Sequence, residues 1–330
     1  MGRGFAERDR LTGVVRAAYG SKRGIASLER LRGGSKKGVY RLAFDDETTA
    51  ILYVWNPAEN YWPTVGDEAS TDLADPFCEA SGFDLFEASH ARLGSLGVAV
   101  PRIHLMDRSK AHYPAEIALV EDVRGGTLED LLRRDPQQAE PVLKRLSAAL
   151  ATMHRDHSQG IGKLTAVSSG AARQDRSCEQ IVLDRALEHL DQAAARIDRV
   201  AAARSQLADV TRTLAAAVRP RVQHGLIHGE LGPDHVLIDD DGQPVLIDIE
   251  GVMFFDVEWE HAFLGLRFHD HYRWLRASGL DDQRLRFYLL ALHLSLIAGP
   301  LRLLDGDFPD REPVMKIIEW NTGQALSFLG

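Results

Sequence analysis

Carboxylates and imidazoles concentrate in one stretch of this chain, residues 223–250, which reads QHGLIHGELGPDHVLIDDDGQPVLIDIE. Two short apolar runs, residues 236–238 and 245–247, flank a turn made of Asp239, Asp240, Asp241 and Gly242. β-rich runs on either side of an Asp-Gly turn predict a hairpin. His228, Glu230, Asp234 and His235 precede the first strand, and Asp248 and Glu250 follow the second. In an antiparallel pair the start of one strand lies beside the end of the other, so these groups are expected to converge. Carboxylates gathered at one end of a sheet can hold a metal ion or move a proton. His224, His228 and His235 match no zinc spacing. The three aspartates of the turn lack the remaining ligands of a calcium loop and read as solvated.

The rest of the chain must position that stretch. With 330 residues it can build two lobes, each with its own core. A hydrophobic content of 45% and a charged content of 26% are those of a soluble globular protein. The net charge of −9 argues against a nucleic-acid partner, which calls for a basic face, and is compatible with a cationic small substrate. Cys78 and Cys178 lie far apart with no CxxC spacing, as expected of free thiols in a reducing cytoplasm. The opening MGRGFAERDR lacks the apolar core of a secretory signal. The longest apolar stretch, residues 287–304, is interrupted by His293, Ser295, Gly299, Pro300 and Arg302, which fits a buried helix rather than a membrane span. These features lead to the expectation of a cytoplasmic monomer or homodimer with neither nucleic-acid nor membrane partner.

Residues 11–19 predict a short amphipathic helix ending at Gly20. Residues 39–44 alternate and residues 49–55 resume a β-rich run after a turn at Asp45, Asp46 and Glu47. Ahead of them lie Gly33, Gly34, Ser35, Lys36, Lys37 and Gly38. A glycine-rich turn bares backbone N–H groups and two lysines add charge, which suits a phosphate, although the same residues are ordinary in a hairpin loop. Residues 56–75 read as loop and 77–96 as a helix with Pro76 at its first position. An extended segment starts at Val98, a buried strand spans residues 117–120, and a polar connector follows to Thr127, which caps the next helix. Residues 128–134, 140–156, 179–218, 257–275, 281–304 and 313–329 are helical by type and spacing. The fold class is α+β: a β-rich half to about Val120, then a mostly helical half with one embedded hairpin.

This arrangement resembles the aminoglycoside phosphotransferase family, which has the two-lobed protein-kinase-like fold. The family's HGD segment, with Asn five residues beyond the Asp, followed by a hairpin and an Ile-Asp pair, is matched by His228–Gly229–Glu230, His235 and Ile247–Asp248. The loop from Gly33 to Gly38 resembles the nucleotide loop, and the helix containing Glu87 resembles the one that braces the phosphate lysine. Val120–Glu121 with Gly126 resembles the hinge, Met153–His154 the family's Leu-His pair, and Asp256 with Trp259 and Glu260 the GDP-x-x-D segment.

The resemblance implies an N-lobe over residues 1–121 that binds nucleotide and a helical C-lobe over residues 122–330 that carries the hairpin and an acceptor cleft. It implies ATP or GTP with Mg2+ (or Mn2+), and a small-molecule hydroxyl as acceptor, such as that of an antibiotic. Asp248 and His235 would hold the metal, and Glu230 would take or orient the acceptor's hydroxyl proton. Gly33, Gly34, Ser35, Lys36 and Lys37 would cover the phosphates, and the backbone of Glu121 to Val123 would meet the purine. Three positions depart from the family pattern. Glu230 stands for Asp, one methylene longer, and His235 stands for Asn, although imidazole is a poor magnesium ligand. Tyr53 occupies the place of the phosphate lysine, leaving Lys36 or Lys37 to substitute and Glu87 without its expected partner. These departures keep two alternatives open: a nucleotide-binding pseudoenzyme and a nucleotidyl transferase.

Overall fold

The computed structural model describes residues 3–20, 23–32, 34–63, 75–172 and 175–330. Helix α1 (Thr12–Tyr19) is followed by strands β1 (Ile25–Arg30), β2 (Gly38–Phe44) and β3 (Thr49–Trp55). Alternation in β2 places Tyr40, Leu42 and Phe44 on one buried face. They meet Leu11, Val14 and Val15 around α1, together with Leu52 and Leu119, in a dry core. β3 is buried on both faces: Ala50, Leu52 and Val54 join that core, while Ile51 and Tyr53 are buried outside it. Two buried faces explain why TAILYVW reads as a continuous apolar run rather than an alternating one.

Helix α2 (Phe83–Ser95) packs its Phe86 edge-on against Tyr53, with ring centroids 5.6 Å apart. It is shorter than the helix expected from residue 77, because Gly82 at φ 136° holds a backbone that a helix cannot continue through. β4 (Ile103–Asp107) and β5 (Glu116–Glu121) complete a five-stranded antiparallel sheet in the order β1-β2-β3-β5-β4. Helix α3 (Leu128–Arg134) begins at Thr127, whose hydroxyl accepts the Asp130 amide at 3.0 Å. Helix α4 spans Pro136–His154.

The chain groups into two compact units. The first comprises residues 1–62, 79–142 and 234–250, and the second residues 63–78, 143–233 and 251–330. In the second, β6 (His157–Ser158), β7 (Gly162–Lys163) and α5 (Leu164–Ser169) precede α6 (Cys178–Ala194) and α7 (Asp198–Ala216). The single helix expected over residues 179–218 is therefore two, parted where Ile197 turns extended at φ −130° and ψ 108°. The Ala-rich sequence carries no breaker there, so helix propensity alone is blind to the turn. β8 (His224–Ile227) comes next.

The expected hairpin forms in the first unit. β9 (Val236–Ile238) and β10 (Pro244–Leu246) pair antiparallel, with Val245 opposite Leu237. The connector before α3 lies against it: Ile238 donates its amide to the Gly126 carbonyl at 3.0 Å. A Cβ on Gly125 would come within 2.1 Å of the Ile238 carbonyl oxygen, so only glycine permits this approach. β11 (Met253–Phe255) returns to the second unit and completes a four-stranded sheet in the order β6-β8-β11-β7. Helices α8 (Val257–Phe268), α9 (Asp282–Leu303) and α10 (Arg311–Leu326) follow, and α9, buried along most of its length, packs against α6, α7, α8 and α10. No helix of the described residues is long and apolar enough to cross a membrane.

Candidate active site

The glycine-rich loop is tied to the segment after β3. The Ser35 carbonyl accepts the Tyr61 amide at 2.7 Å, and its hydroxyl accepts the Trp62 indole N–H at 3.0 Å. Gly34 is half-buried in this loop, and Gly33 lies outside the described residues. The two lysines part company. Lys36 remains in the loop, its ammonium 5.6 Å above the Trp62 ring. Lys37 turns inward and is only 7% exposed.

The Lys37 ammonium donates to Asp248 Oδ1 at 2.7 Å and to Glu250 Oε1 at 2.5 Å, and lies 5.2 Å from the Tyr53 ring centroid. Trp55, two residues along the same strand, donates its indole N–H to Glu250 Oε1 at 3.3 Å. Burial alone would lower the lysine's pKa, but the two carboxylates outweigh it and hold the pKa above its ordinary value. Lys37 in turn holds the Asp248 carboxyl below the usual carboxylate range, against burial and with help from His235. Burial pushes the Tyr53 hydroxyl up, so the phenol stays neutral. An ammonium between two carboxylates at a glycine-rich loop is a charge arrangement suited to a polyphosphate and its counter-ion.

The hairpin brings Asp248 to this point. Ile247 donates its amide to the His235 carbonyl at 3.0 Å, and Asp248 then takes φ 57°, a left-handed conformation that aspartate tolerates better than most side chains. His235 Nε2 lies 3.9 Å from Asp248 Oδ2. Glu250 is buried in the 3-10 turn that follows, and its Oε2 has no hydrogen-bond partner. The structure thus brings Lys37, Tyr53, His235 and Asp248 together with Glu250, which was expected among the converging acids, and adds Trp55. Trp55 was legible in principle, since strand periodicity puts it on the same face as Tyr53.

Glu87 does not join them. Its exposed carboxylate pairs with Arg108 at 3.3 Å. Helix α2 is instead joined to β3 by aromatic contacts: Phe86 on Tyr53, and Phe83 and Phe86 on Trp55 at 5.8 and 5.4 Å. At the hinge-like connector, the Glu121 amide donates to the Arg102 carbonyl at 2.8 Å and its carboxylate takes the Arg102 guanidinium. A purine edge there would have to meet main-chain groups other than that amide. Val123, half-buried, follows Asp122, whose carboxylate accepts Arg41 at 2.7 and 3.2 Å.

The segment His228–Gly229–Glu230 belongs to the second unit, at the end of β8. Glu230 itself is exposed. The loop is gripped from beneath by Glu260 on α8, which is fully buried and accepts the His228 amide at 2.5 Å. Burial pushes the Glu260 carboxyl up to about 7, opposed by the amides of His228, Gly229 and Leu231. A buried carboxyl facing a row of amides is a fixture for loop backbone, and Glu230 is the exposed side chain of that loop.

Comparison with known proteins agrees with these features. The model of the phosphotransferase enzyme family (APH) matches residues 79–289, more than half of the chain. The chain belongs to this family. No curated protein matches its sequence. Among solved structures, the apo form of a thermostable mutant of aminoglycoside phosphotransferase APH(4)-Ia is 17% identical, with 97% of this chain and 98% of that one covered at a TM-score of 0.64. The same enzyme in a ternary complex with ADP and hygromycin B gives 17% identity, 97% coverage of both chains and a TM-score of 0.60. Spectinomycin phosphotransferase APH(9)-Ia, in complex with ADP and spectinomycin, gives 15% identity, 98% and 99% coverage and a TM-score of 0.64. These likenesses establish the kinase-like α+β fold, with its antiparallel sheet followed by a helical part, and family membership makes the protein a phosphotransferase.

Proposed function

We propose that this phosphotransferase moves the γ-phosphoryl group of ATP or GTP to a hydroxyl of a small, cationic, hydroxyl-rich molecule of the aminoglycoside kind. The observation that carries the reading is the Lys37 ammonium held between Asp248 and Glu250. It offers a phosphate-binding cation from the loop in a chain whose β3 has Tyr53 where the family has lysine. In this reading residues 1–121 form the nucleotide lobe, with Gly33, Gly34, Ser35 and Lys36 over the phosphates and Val123 toward the purine. Residues 122–330 carry the hairpin and the acceptor cleft. Asp248 and Glu250 would hold Mg2+ or Mn2+. Hard carboxylate oxygens suit such an ion, and the buried Glu250 Oε2 without a hydrogen-bond partner is an oxygen still to be satisfied. The ion, when bound, supplies charge neutralisation on the triphosphate.

The residues of the chain do the rest by positioning, since phosphoryl transfer asks for little covalent help. His235, 3.9 Å from Asp248, orients that carboxylate rather than ligating. Glu230, exposed at the tip of the loop that Glu260 holds, takes the proton of the acceptor hydroxyl. The net charge of −9 favours a cationic acceptor, and two related structures hold ADP together with hygromycin B or spectinomycin.

The test is incubation with ATP or GTP, Mg2+ or Mn2+, and a panel of hydroxyl-bearing antibiotics and amino alcohols, followed by mass spectrometry of the acceptors. A gain of one phosphate that disappears in Glu230→Ala and Asp248→Ala supports the reading. Nucleotide binding with no product from any acceptor points to a pseudoenzyme, and a gain of a nucleotidyl group to transfer of the other half of the nucleotide. Either result overturns it.

A further inference from the structure

We propose that Cys178, His224 and Asp256 form a site for a thiophilic dication of the zinc class, in the second compact unit and independent of the phosphoryl-transfer reading. The three come from separate elements: the first residue of α6, the first residue of β8, and the residue between β11 and α8. All three are buried, and one ligand atom from each lies within 4.8 Å of the other two. His224 Nδ1 is 3.5 Å from Cys178 Sγ and 3.5 Å from Asp256 Oδ1. The first is within reach of a thiol–imidazole hydrogen bond, and the second is long for one between nitrogen and oxygen. They match the ligand-to-ligand edge of a tetrahedron around zinc, roughly 3.5 Å for metal–sulfur and metal–nitrogen bonds of about 2.3 and 2.0 Å.

The second observation is the state of Asp256. Its Oδ2 is saturated by the Arg284 guanidinium and by the Tyr288 hydroxyl at 2.5 Å. Its Oδ1, fully buried and next to His224, has no hydrogen-bond partner. A carboxylate held rigidly through one oxygen, with the other aimed at an imidazole and a thiol, is the outer-shell arrangement that metal sites use. Charge agrees as well. Glu179, whose carboxylate lies 3.8 Å from Arg284, offsets that guanidinium, so the thiolate and Asp256 are left to neutralise a dication. A surface pocket of about 400 Å3 has His224, Ser177 and Gln159 on its wall, and so gives an approach from solvent on the His224 side.

Binding forms a sulfur–metal bond in place of the S–H bond. The thiol proton leaves to solvent, His224 coordinates through Nδ1 with its hydrogen on Nε2, and no oxidation state changes. Burial raises the Cys178 pKa, so without the ion the group is a neutral, unreactive thiol. The bound ion would pin α6 to the paired strands β8 and β11, and β8 leads directly into the Glu230 loop.

The full chain, stripped with a chelator and titrated with Co2+ as probe, should take up one equivalent and develop a thiolate-to-cobalt charge-transfer band that Zn2+ abolishes. Cys178→Ser should lose the band, and Cys78→Ser should keep it. Tyr288→Phe should weaken uptake about 10–100-fold, the usual effect of removing an outer-shell partner. A wild-type chain that shows no thiolate band, or a Cys178→Ser chain that binds Co2+ as well as wild type, overturns the proposal. The wild-type titration decides even where a variant fails to fold.

Discussion

Lys37→Met removes the ammonium while keeping most of the buried stem. Glu250 then loses a 2.5 Å bond and Asp248 a 2.7 Å bond, leaving two carboxylates turned toward the same emptied spot. Breaking a fully buried ion pair from one side costs about 3–5 kcal/mol. The Asp248 side chain is 49% exposed, so water takes up part of that load and the lower end, about 3 kcal/mol, is expected. At about 2.1 cal/mol/K of unfolding entropy per residue, about 0.7 kcal/mol/K for 330 residues, the melting temperature should fall by about 4 °C. Turnover should fall further, about 100–1000-fold, as when one charged or polar donor is removed from a transition-state site. Lys36→Met is the control. Its ammonium lies over Trp62 in the loop, a contact worth about 0.5–1 kcal/mol. The pH dependence has a definite sign. Lys37 depresses the Asp248 carboxyl below its ordinary 3.8, so the stability it contributes is present above that value and lost as the pH falls below it. The gap between wild type and Lys37→Met should therefore be full at neutral pH and close in acid. Thermal melts across pH and steady-state phosphorylation of an acceptor measure both effects. A Lys37→Met protein with wild-type melting and turnover, or a Lys36→Met protein whose melting temperature falls as much, refutes the assignment.

Replacing the brace of α2 gives a second contrast. Phe86→Ala should cost about 3–5 kcal/mol, as for other buried aromatics, whereas Glu87→Ala should stay within about 0.5 kcal/mol in chemical denaturation. Comparable losses in the two would sink the aromatic-contact account. Glu260→Gln tests the grip on the Glu230 loop through pH. The wild-type carboxyl sits at about 7 in the fold against 4.5 ordinarily, so its contribution is fully present below 4.5 and lost as pH rises through 7, about 3 kcal/mol in all. The glutamine variant has no such loss and should gain on wild type between pH 5 and 8; a constant difference over that range would contradict the buried-carboxyl reading.

Local pattern made much of the architecture legible. The alternation of residues 39–44 and the Asp-Gly turn at 239–242 yield β2 and the hairpin where they were expected. Periodicity failed where elements are too short to show it. β6 and β7 have two residues each, and β8 and β11 four and three, so no period can be counted in them. It also failed inside the Ala-rich run, where the break between α6 and α7 is marked by neither glycine nor proline. Within the site, the residue types were readable and their pairings were not. The family resemblance put Glu87 on the bracing helix without its expected partner, and in the fold it points to solvent and Arg108.

By itself, then, the sequence determined the α+β order, the hairpin with its flanking acids, and the motif spacing of a phosphotransferase, because those depend on neighbours a few residues apart. Only the tertiary structure decided which lysine faces Asp248, that Glu250 is the second carboxylate, and that Tyr53 and Trp55 form the aromatic side of the site. Lys37 and Asp248 are 211 residues apart. Periodicity says which face a side chain occupies, but what lies opposite depends on how distant segments pack. Lys36 and Lys37 are equivalent in composition, and only burial, which rewards one ammonium for meeting two carboxylates, sets them apart.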